Sequence, residues 1–139
     1  MIYVEEKDFV RQIELLGFLS SIQPLSICAW QYPESKEKSI LNSALQRSDL
    51  ESVTTYENGF VPFHTEPAQC TTDFLETVKS SKQSITSNCD SLALYKSGSN
   101  NWLAATIGHE GMCLVKDQAL LNKLLSAGFS ASLEAPSWW

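Results

Sequence analysis

Three β-rich segments separated by glycine-containing turns constrain the fold of this chain more than any other feature. SLALYKS and NWLAATI flank Gly98, and MCLV follows a second turn in which Gly108 and Gly111 enclose a polar pair. Glycine supplies turn conformations that other residues avoid, and such turns between β-rich runs are typical of hairpins. The pattern predicts a three-stranded antiparallel meander over residues 91–115.

A further hairpin is predicted around Asn58-Gly59, which lies between two β-rich runs. Both central residues of a type I′ turn need positive φ, and Asn and Gly tolerate it best. The predicted strands cover residues of about 52–57 and 60–65. Pro62 cannot donate a ladder hydrogen bond, so the second strand is expected at a sheet edge.

Periodic apolar residues predict the helices. Phe9, Ile13 and Leu16 share one face of a first helix, with Gly17 as its expected end. PLSICAWQYP, bounded by prolines, predicts a strand. Further helices are predicted in ESKEKSILNSALQRSDLE, in TTDFLETVKSSKQSI with Thr71 or Thr72 as its cap, and in KDQALLNKLLSAGF between Asp117 and Gly128.

Two details complete the expected layout. SITSNCDS is interpreted as a short polar linker, and the last helix is expected to direct four leucines into the core: Leu120, Leu121, Leu124 and Leu125. The fold class is therefore α+β, a mainly antiparallel sheet built from hairpins (about 52–65 and 91–115) packed with three to four helices. With 139 residues, the chain is expected to form a single domain, 1–139.

Composition argues against several classes of function. The formal net charge is -6, and Arg11 and Arg47 are the only arginines, so a phosphate-binding surface for nucleic acid is not expected. An acidic surface suits a basic protein partner instead. Apolar runs fall short of the ~18 residues that a membrane span needs. The acidic start, MIYVEEKDFVRQ, does not resemble a signal peptide, so a cytoplasmic protein is expected.

Candidate catalytic and metal-binding groups are few. His109 and Glu110 could form an acid–base pair, but adjacent turn residues are expected to point apart, with no orienting group nearby. Cys113 lies four residues after His109. On a hairpin this spacing does not place the two side chains on one face, as it would on a helix, so a shared metal ion is not expected. Nucleotide-binding and nucleophile-elbow motifs are absent from the sequence. We therefore expect no catalytic residues, no metal and no cofactor.

The four cysteines are widely spaced, without a C-x-x-C pair, and are expected to be reduced. Cys70 or Cys113 could still serve a small thiol-dependent enzyme, for example with His64 close to Cys70 in space. A thiol-dependent enzyme is therefore one functional hypothesis, alongside the two binding functions described below.

Two aromatic and acidic segments favour protein binding. EAPSWW ends the chain with Trp138 and Trp139, either as a latch over the sheet or as docking residues, and YENGF places Tyr56 and Glu57 at a hairpin tip. In general character the chain resembles bacterial immunity proteins that neutralise polymorphic or contact-delivered toxins. That resemblance implies a protein that binds a basic, nuclease-like toxin domain and blocks its active site.

The residues expected to contact this partner combine carboxylates with aromatic anchors. They are Tyr56, Glu57, Glu110, Glu134, Trp138 and Trp139. The alternative resemblance is to the acidic chaperones of secreted effectors, which are small α/β proteins with a similar order of helices and strands. A hydrophobic groove would favour the chaperone, whereas a one-to-one complex with a toxin would favour immunity.

Overall fold

Eight short strands form one antiparallel sheet in the computed structural model, which describes residues 1–32, 49–53 and 63–139. The strands are β1 (Ile2–Glu5), β2 (Leu25–Gln31), β3 (Phe63–His64), β4 (Ala68–Gln69), β5 (Cys89–Lys96), β6 (Trp102–Ile107), β7 (Met112–Val115) and β8 (Ala131–Ser132). Their order is β3-β2-β5-β6-β7-β1-β8, and β4 also pairs with β2. Together with the helices, this sheet confirms the predicted α+β class.

The predicted meander forms the centre of the sheet. Strand β5 pairs with β6, and β6 pairs with β7, so that Ala105 lies opposite Ala93 on one side and Leu114 on the other. Gly98 and Gly111 have φ values of 75° and 64°, in the left-handed region that favours glycine. The turn residues therefore act as the sequence indicates.

The predicted hairpin around Asn58-Gly59 falls mostly outside the described residues, which omit 54–62. Within the described part, β3 pairs with β2 at the end of the sheet. The predicted edge position of the strand at Pro62 depends on the omitted residues and stays a prediction. The predicted helix at 34–51 also lies largely outside the described residues, which omit 33–48.

Four α-helices lie among the described residues: α1 (Phe9–Ile22), α2 (Thr72–Ser80), α3 (Lys82–Asn88) and α4 (Leu121–Ser126). Asp8 caps α1 by accepting a hydrogen bond from the Arg11 backbone N–H at 3.2 Å. The prediction that α1 ends at Gly17 was wrong. The helix continues to Ile22, because Gly17 faces Leu75 of α2 within the helix and the first strong stop is Pro24.

Helix α2 begins as predicted, with Thr71 accepting a hydrogen bond from the Phe74 backbone N–H at 3.1 Å. The interpretation of SITSNCDS as a linker was wrong. Its first part belongs to α3, which buries Ile85 against the sheet, and its last part begins β5. A polar segment can form a helix when a single apolar residue per turn reaches the core.

The last helix is shorter than the sequence suggests. Asp117 caps a 3₁₀ turn at Gln118–Leu120, and Gly128 ends the helical region with a φ of 87°. Leu124 is fully buried, but Leu125 is 49% exposed, so its prediction as a core residue was wrong. Successive helical residues point about 100° apart, and this short helix presents only one side to the sheet.

Both faces of the sheet are buried, and each carries its own apolar cluster. The helices cover one face, where Ile13, Leu16 and Leu94 pack together. The opposite face buries Trp30, Tyr95 and Met112, and Leu50 and Val53 of the described segment 49–53 pack there. This two-sided burial explains why the central strands are almost continuously apolar.

Segment 49–53 is attached to the sheet through Glu51. Its carboxylate accepts hydrogen bonds from Lys116 Nζ at 2.6 and 2.7 Å and from the Trp102 backbone N–H at 3.0 Å. Lys116 Nζ also lies 4.1 Å from the centre of the Trp102 ring. Within the described ranges, no helix has the length and apolar character to cross a bilayer.

Candidate functional site

The C-terminal tail lies against β1 and forms an exposed aromatic surface. Tyr3 and Glu5 point to the same side of β1, because alternate strand residues share a face. Trp139 packs edge-on against Tyr3 with ring centres 6.4 Å apart, and Trp138 packs against Trp139 at 6.2 Å. Trp138 Nε1 donates a long hydrogen bond of 3.4 Å to Glu5 Oε2. We call these four residues the tail patch.

Exposure distinguishes the tail patch from a closed latch. Trp138 is 50% exposed and Trp139 is 40% exposed, although both make ring contacts. The tail thus folds back onto β1, as in the latch alternative, but it still presents indole surface to solvent. Large exposed aromatic side chains in a fixed position are typical of protein-binding surfaces.

Two of the other predicted partner residues, Glu134 and Glu110, can be placed relative to this patch. Glu134 is exposed on the segment leading to the tail, where its backbone N–H bonds to Ser132 Oγ at 3.0 Å. Glu110 lies on the turn between β6 and β7, and Glu5 pairs with Met112 just after that turn. Glu110 and the tail patch are therefore near the same end of the sheet. Tyr56 and Glu57 lie outside the described residues.

A second cluster surrounds His109 and includes Asp90, which the sequence did not indicate as a partner. Its Nδ1 lies 3.3 Å from Asp90 Oδ1, and its Nε2 lies 3.4 Å from Glu110 Oε1. The expectation that His109 and Glu110 point apart without an orienting group was wrong. Asp90 supplies that group from the start of β5, where a register irregularity between β2 and β5 interrupts the regular ladder. The sequence signal for this group was Asp90 itself, a charged residue at the start of an apolar run.

Asp90 is a costly group to bury. Its side chain is 1% exposed, and burial raises the pKa of its carboxyl above the ordinary value of 3.8. The nearby His109 and Tyr32 lower this pKa, but they offset the effect of burial only in part. A buried carboxylate that is not fully compensated lowers folding stability, and such groups are often retained for function.

We predict that Asp90→Asn raises the free energy of unfolding at neutral pH. The folded protein binds a proton at Asp90 more readily than the unfolded chain, so ionisation of this carboxyl costs stability as pH rises above 3.8. The gain from Asp90→Asn should therefore shrink as pH falls toward 3.8. Urea unfolding at neutral pH and under mildly acidic conditions measures both trends.

Asp73→Asn is the matched control for this prediction, because Asp73 is an exposed carboxylate in the first turn of α2. It should lose about 0.3–1 kcal/mol, since a negative charge is favourable near a helix N-terminus. Equal or lower stability of Asp90→Asn at neutral pH would show that His109 and Tyr32 compensate the buried charge completely.

The cysteines are poor candidates for nucleophiles. All four are buried and reduced: Cys28, Cys70, Cys89 and Cys113. Burial raises the pKa of Cys70 and Cys113, and it raises the pKa of Cys89 to about 12. Because the thiolate is the reactive form, these shifts count against the thiol-dependent enzyme that the sequence left open.

Thiol reactivity tests this conclusion directly. We expect the native protein to react very slowly with an aromatic disulfide reagent at neutral pH, and the denatured protein to react at all four thiols. Absorbance of the released thiolate follows both reactions. Fast reaction of a single thiol in the native protein would reopen the enzyme hypothesis.

Among the residues that the structure describes, no group of three or more His, Cys, Asp or Glu side chains is arranged to hold a metal ion. The Asp90–His109–Glu110 cluster and the tail patch are thus the two arrangements of interest. Comparison with family models, curated proteins and solved structures finds no significant match.

Proposed function

We propose that this protein is a toxin-neutralising immunity protein that binds a basic, nuclease-like toxin domain and blocks its active site. The observation that carries the proposal is the tail patch, in which Trp138 and Trp139 stay half-exposed while ring contacts hold them in position. Indole rings fixed before binding lose little entropy on association, so they suit the anchors of an interface.

Charge around the anchors supports a basic partner. Glu5 belongs to the tail patch, Glu134 precedes it, and Glu110 lies near the same end of the sheet. The chain as a whole carries a formal net charge of -6. Carboxylates around an aromatic centre would attract the lysines and arginines of a nucleic-acid-cleaving domain and would accelerate encounter.

The test begins with the tagged protein in its native cell lysate and identifies bound polypeptides by intact-complex mass spectrometry. We expect one basic polypeptide in a one-to-one complex. Expressed alone in a test cell, this polypeptide should arrest growth, and co-expression of the present protein should restore it. A captured polypeptide that is harmless alone, or a protein that stays without a companion, would contradict the immunity function.

Charge reversal at Glu134 tests the electrostatic part of the proposal. Glu134→Lys should slow association with the purified partner several-fold in low salt, and the effect should fade at high salt. Stopped-flow fluorescence measures the rate. Glu76→Lys on α2 is the matched control, since Glu76 is an exposed carboxylate outside the tail segment. Equal rates for both variants and the unmodified protein would argue against electrostatic steering through Glu134.

One observation favours the chaperone as a second candidate. An open groove between the end of α1 and α4 is lined in part by Phe18, Ile22 and Ala127. A groove with apolar walls could hold a segment of a secreted effector. Capture of a dimer of this protein with the N-terminal part of a secreted protein would support that function over immunity.

A further inference from the structure

A small polar cavity lies beside the His109 cluster, where the N-terminal end of α1 and helix α3 meet the sheet. Its volume is about 190 Å³. Phe9 and Ile85 contribute apolar walls, whereas Asp90, Ser91 and Thr106 contribute polar groups from β5 and β6. A cavity of this size and polarity can enclose a small ligand group rather than a whole metabolite.

The polar groups in the cavity have unused capacity to accept hydrogen bonds. Asp90 and Ser91 are each 2% exposed. By strict hydrogen-bond geometry, no described residue donates to either carboxylate oxygen of Asp90 or to Ser91 Oγ, although His109 and the Tyr32 side chain interact with the carboxylate. His109 lies 3.3 Å from one Asp90 oxygen, but the pKa of this carboxyl is still raised by burial. Such buried acceptors are unfavourable unless a ligand donates to them.

The chemistry of these atoms selects a donor. Thr106 Oγ1 already accepts a hydrogen bond from the Leu92 backbone N–H at 3.0 Å, and Gln12 Nε2 donates to the Glu6 carbonyl at 2.8 Å. The cavity atoms with remaining acceptor capacity are therefore the two carboxylate oxygens of Asp90, one of which also contacts His109 at 3.3 Å, and Ser91 Oγ. A planar guanidinium presents several N–H donors with the spacing of a carboxylate, and its charge matches the anion.

We propose that this cavity is a binding site for a guanidinium group, with Asp90 as its principal partner. Lys7 and Lys82 also line the cavity, and their positive charges oppose binding of a cation. Both side chains are exposed at the rim of the cavity. Asp8 at the N-terminus of α1 lies beside Lys7 and offsets part of that positive charge. The rim lysines weaken binding of a cation without blocking it.

The guanidinium could belong to a free small molecule or to an arginine side chain of another protein. The site is inferred from the isolated chain and does not depend on the proposed immunity function. Both sources share the chemistry that Asp90 would recognise, and they can be separated by comparing a small guanidinium salt with an arginine-containing peptide.

The experiment is an NMR titration of the ¹⁵N-labelled protein with methylguanidinium chloride at constant ionic strength. We expect saturable shifts at the amides of Ser91 and Thr106, and no such response to tetramethylammonium, which cannot donate hydrogen bonds. Asp90→Asn should weaken binding at least tenfold, whereas Asp73→Asn, with the same change in net charge, should leave it unchanged. Equal responses to the two cations, or equal binding by the two variants, would overturn the proposal.

A second pair of variants tests the site without altering a buried group. Lys82→Gln removes a rim cation and should tighten methylguanidinium binding a few-fold, whereas Lys123→Gln on α4 should not. Weaker binding after Lys82→Gln would contradict a cation site. A capped Gly-Arg-Gly peptide that binds more tightly than methylguanidinium supports the site with a protein source, and weaker peptide binding supports it with a free small molecule.

Discussion

Replacing Trp138 and Trp139 together with alanine is expected to weaken binding of the proposed toxin partner by roughly 100-fold or more. A tryptophan at the centre of an interface typically contributes at least about 2 kcal/mol, and each 1.4 kcal/mol corresponds to about tenfold in affinity. The two rings are in contact, so their effects should not be additive. Calorimetric titration with the purified partner measures the loss.

The same double variant should lose only about 1–3 kcal/mol of folding stability, from two aromatic pairs. Both rings are at least 40% exposed, and the described contacts of Trp139 with Tyr3 and Trp138 are edge contacts. Such aromatic pairs are worth about 0.5–1.5 kcal/mol each beyond area burial. A large loss of stability with unchanged affinity would identify the tail as a latch and would remove the observation on which the immunity proposal rests.

Leu125→Ala is the matched control for this experiment. Leu125 is 49% exposed, about as much as Trp138, but it lies on α4 and outside the tail patch. Its replacement removes a comparable exposed apolar side chain and should leave affinity unchanged. Trp139→Phe, which keeps an aromatic ring next to Tyr3, should retain more affinity than Trp139→Ala.

The strands and turns were predictable because their signals are local. Gly98 and Gly111 have positive φ at the turns of the meander, and Thr71 caps the helix that its position indicated. These choices depend on a few neighbouring residues, so a single sequence is sufficient to reveal them. The fold class followed from the order of such local elements.

Other features depend on contacts between distant segments, and the sequence could not show them. Gly17 ends a helix in many contexts, but here its lack of a side chain fits against Leu75 and α1 continues. The Asp90–His109 contact joins the start of β5 to the turn after β6. Neither partner suggests the other by spacing, because the strand register determines which residues meet.

The candidate site likewise combines features that local sequence indicated with features that depend on contacts between distant segments. The aromatic and acidic composition of EAPSWW indicated protein binding, but only the placement of the tail beside Tyr3 and Glu5 shows that the indoles stay accessible. The cavity next to Asp90 combines residues from α1, α3, β5 and β6. The sequence signal for this cavity was one charged residue, Asp90, at the start of an apolar run.

Replacing Trp30 with alanine is expected to lower the free energy of unfolding by about 3–5 kcal/mol, as typical for a buried tryptophan. Trp30 is 1% exposed in the apolar cluster opposite the helices, and its ring packs 4.9 Å from that of His64. Domains of this size are stable by only ~5–15 kcal/mol, so this variant should be near the limit of folding. Urea unfolding followed by circular dichroism measures the loss.

The hydrogen bonds of Trp30 add a specific component to that loss. Its Nε1 donates to Tyr95 Oη at 3.0 Å, and the Tyr95 hydroxyl donates to the Glu51 carbonyl at 2.9 Å, which ties segment 49–53 to the sheet. Tyr95→Phe keeps the ring but leaves the buried indole N–H without an acceptor, which should cost about 1–3 kcal/mol. Trp138→Phe, at an exposed ring, should change stability by less than about 0.5 kcal/mol. Equal stability of Tyr95→Phe and the unmodified protein would mean that the hydrogen bonds from Trp30 to Tyr95 and from Tyr95 to Glu51 contribute nothing. Trp30 would then stabilise the fold through packing alone.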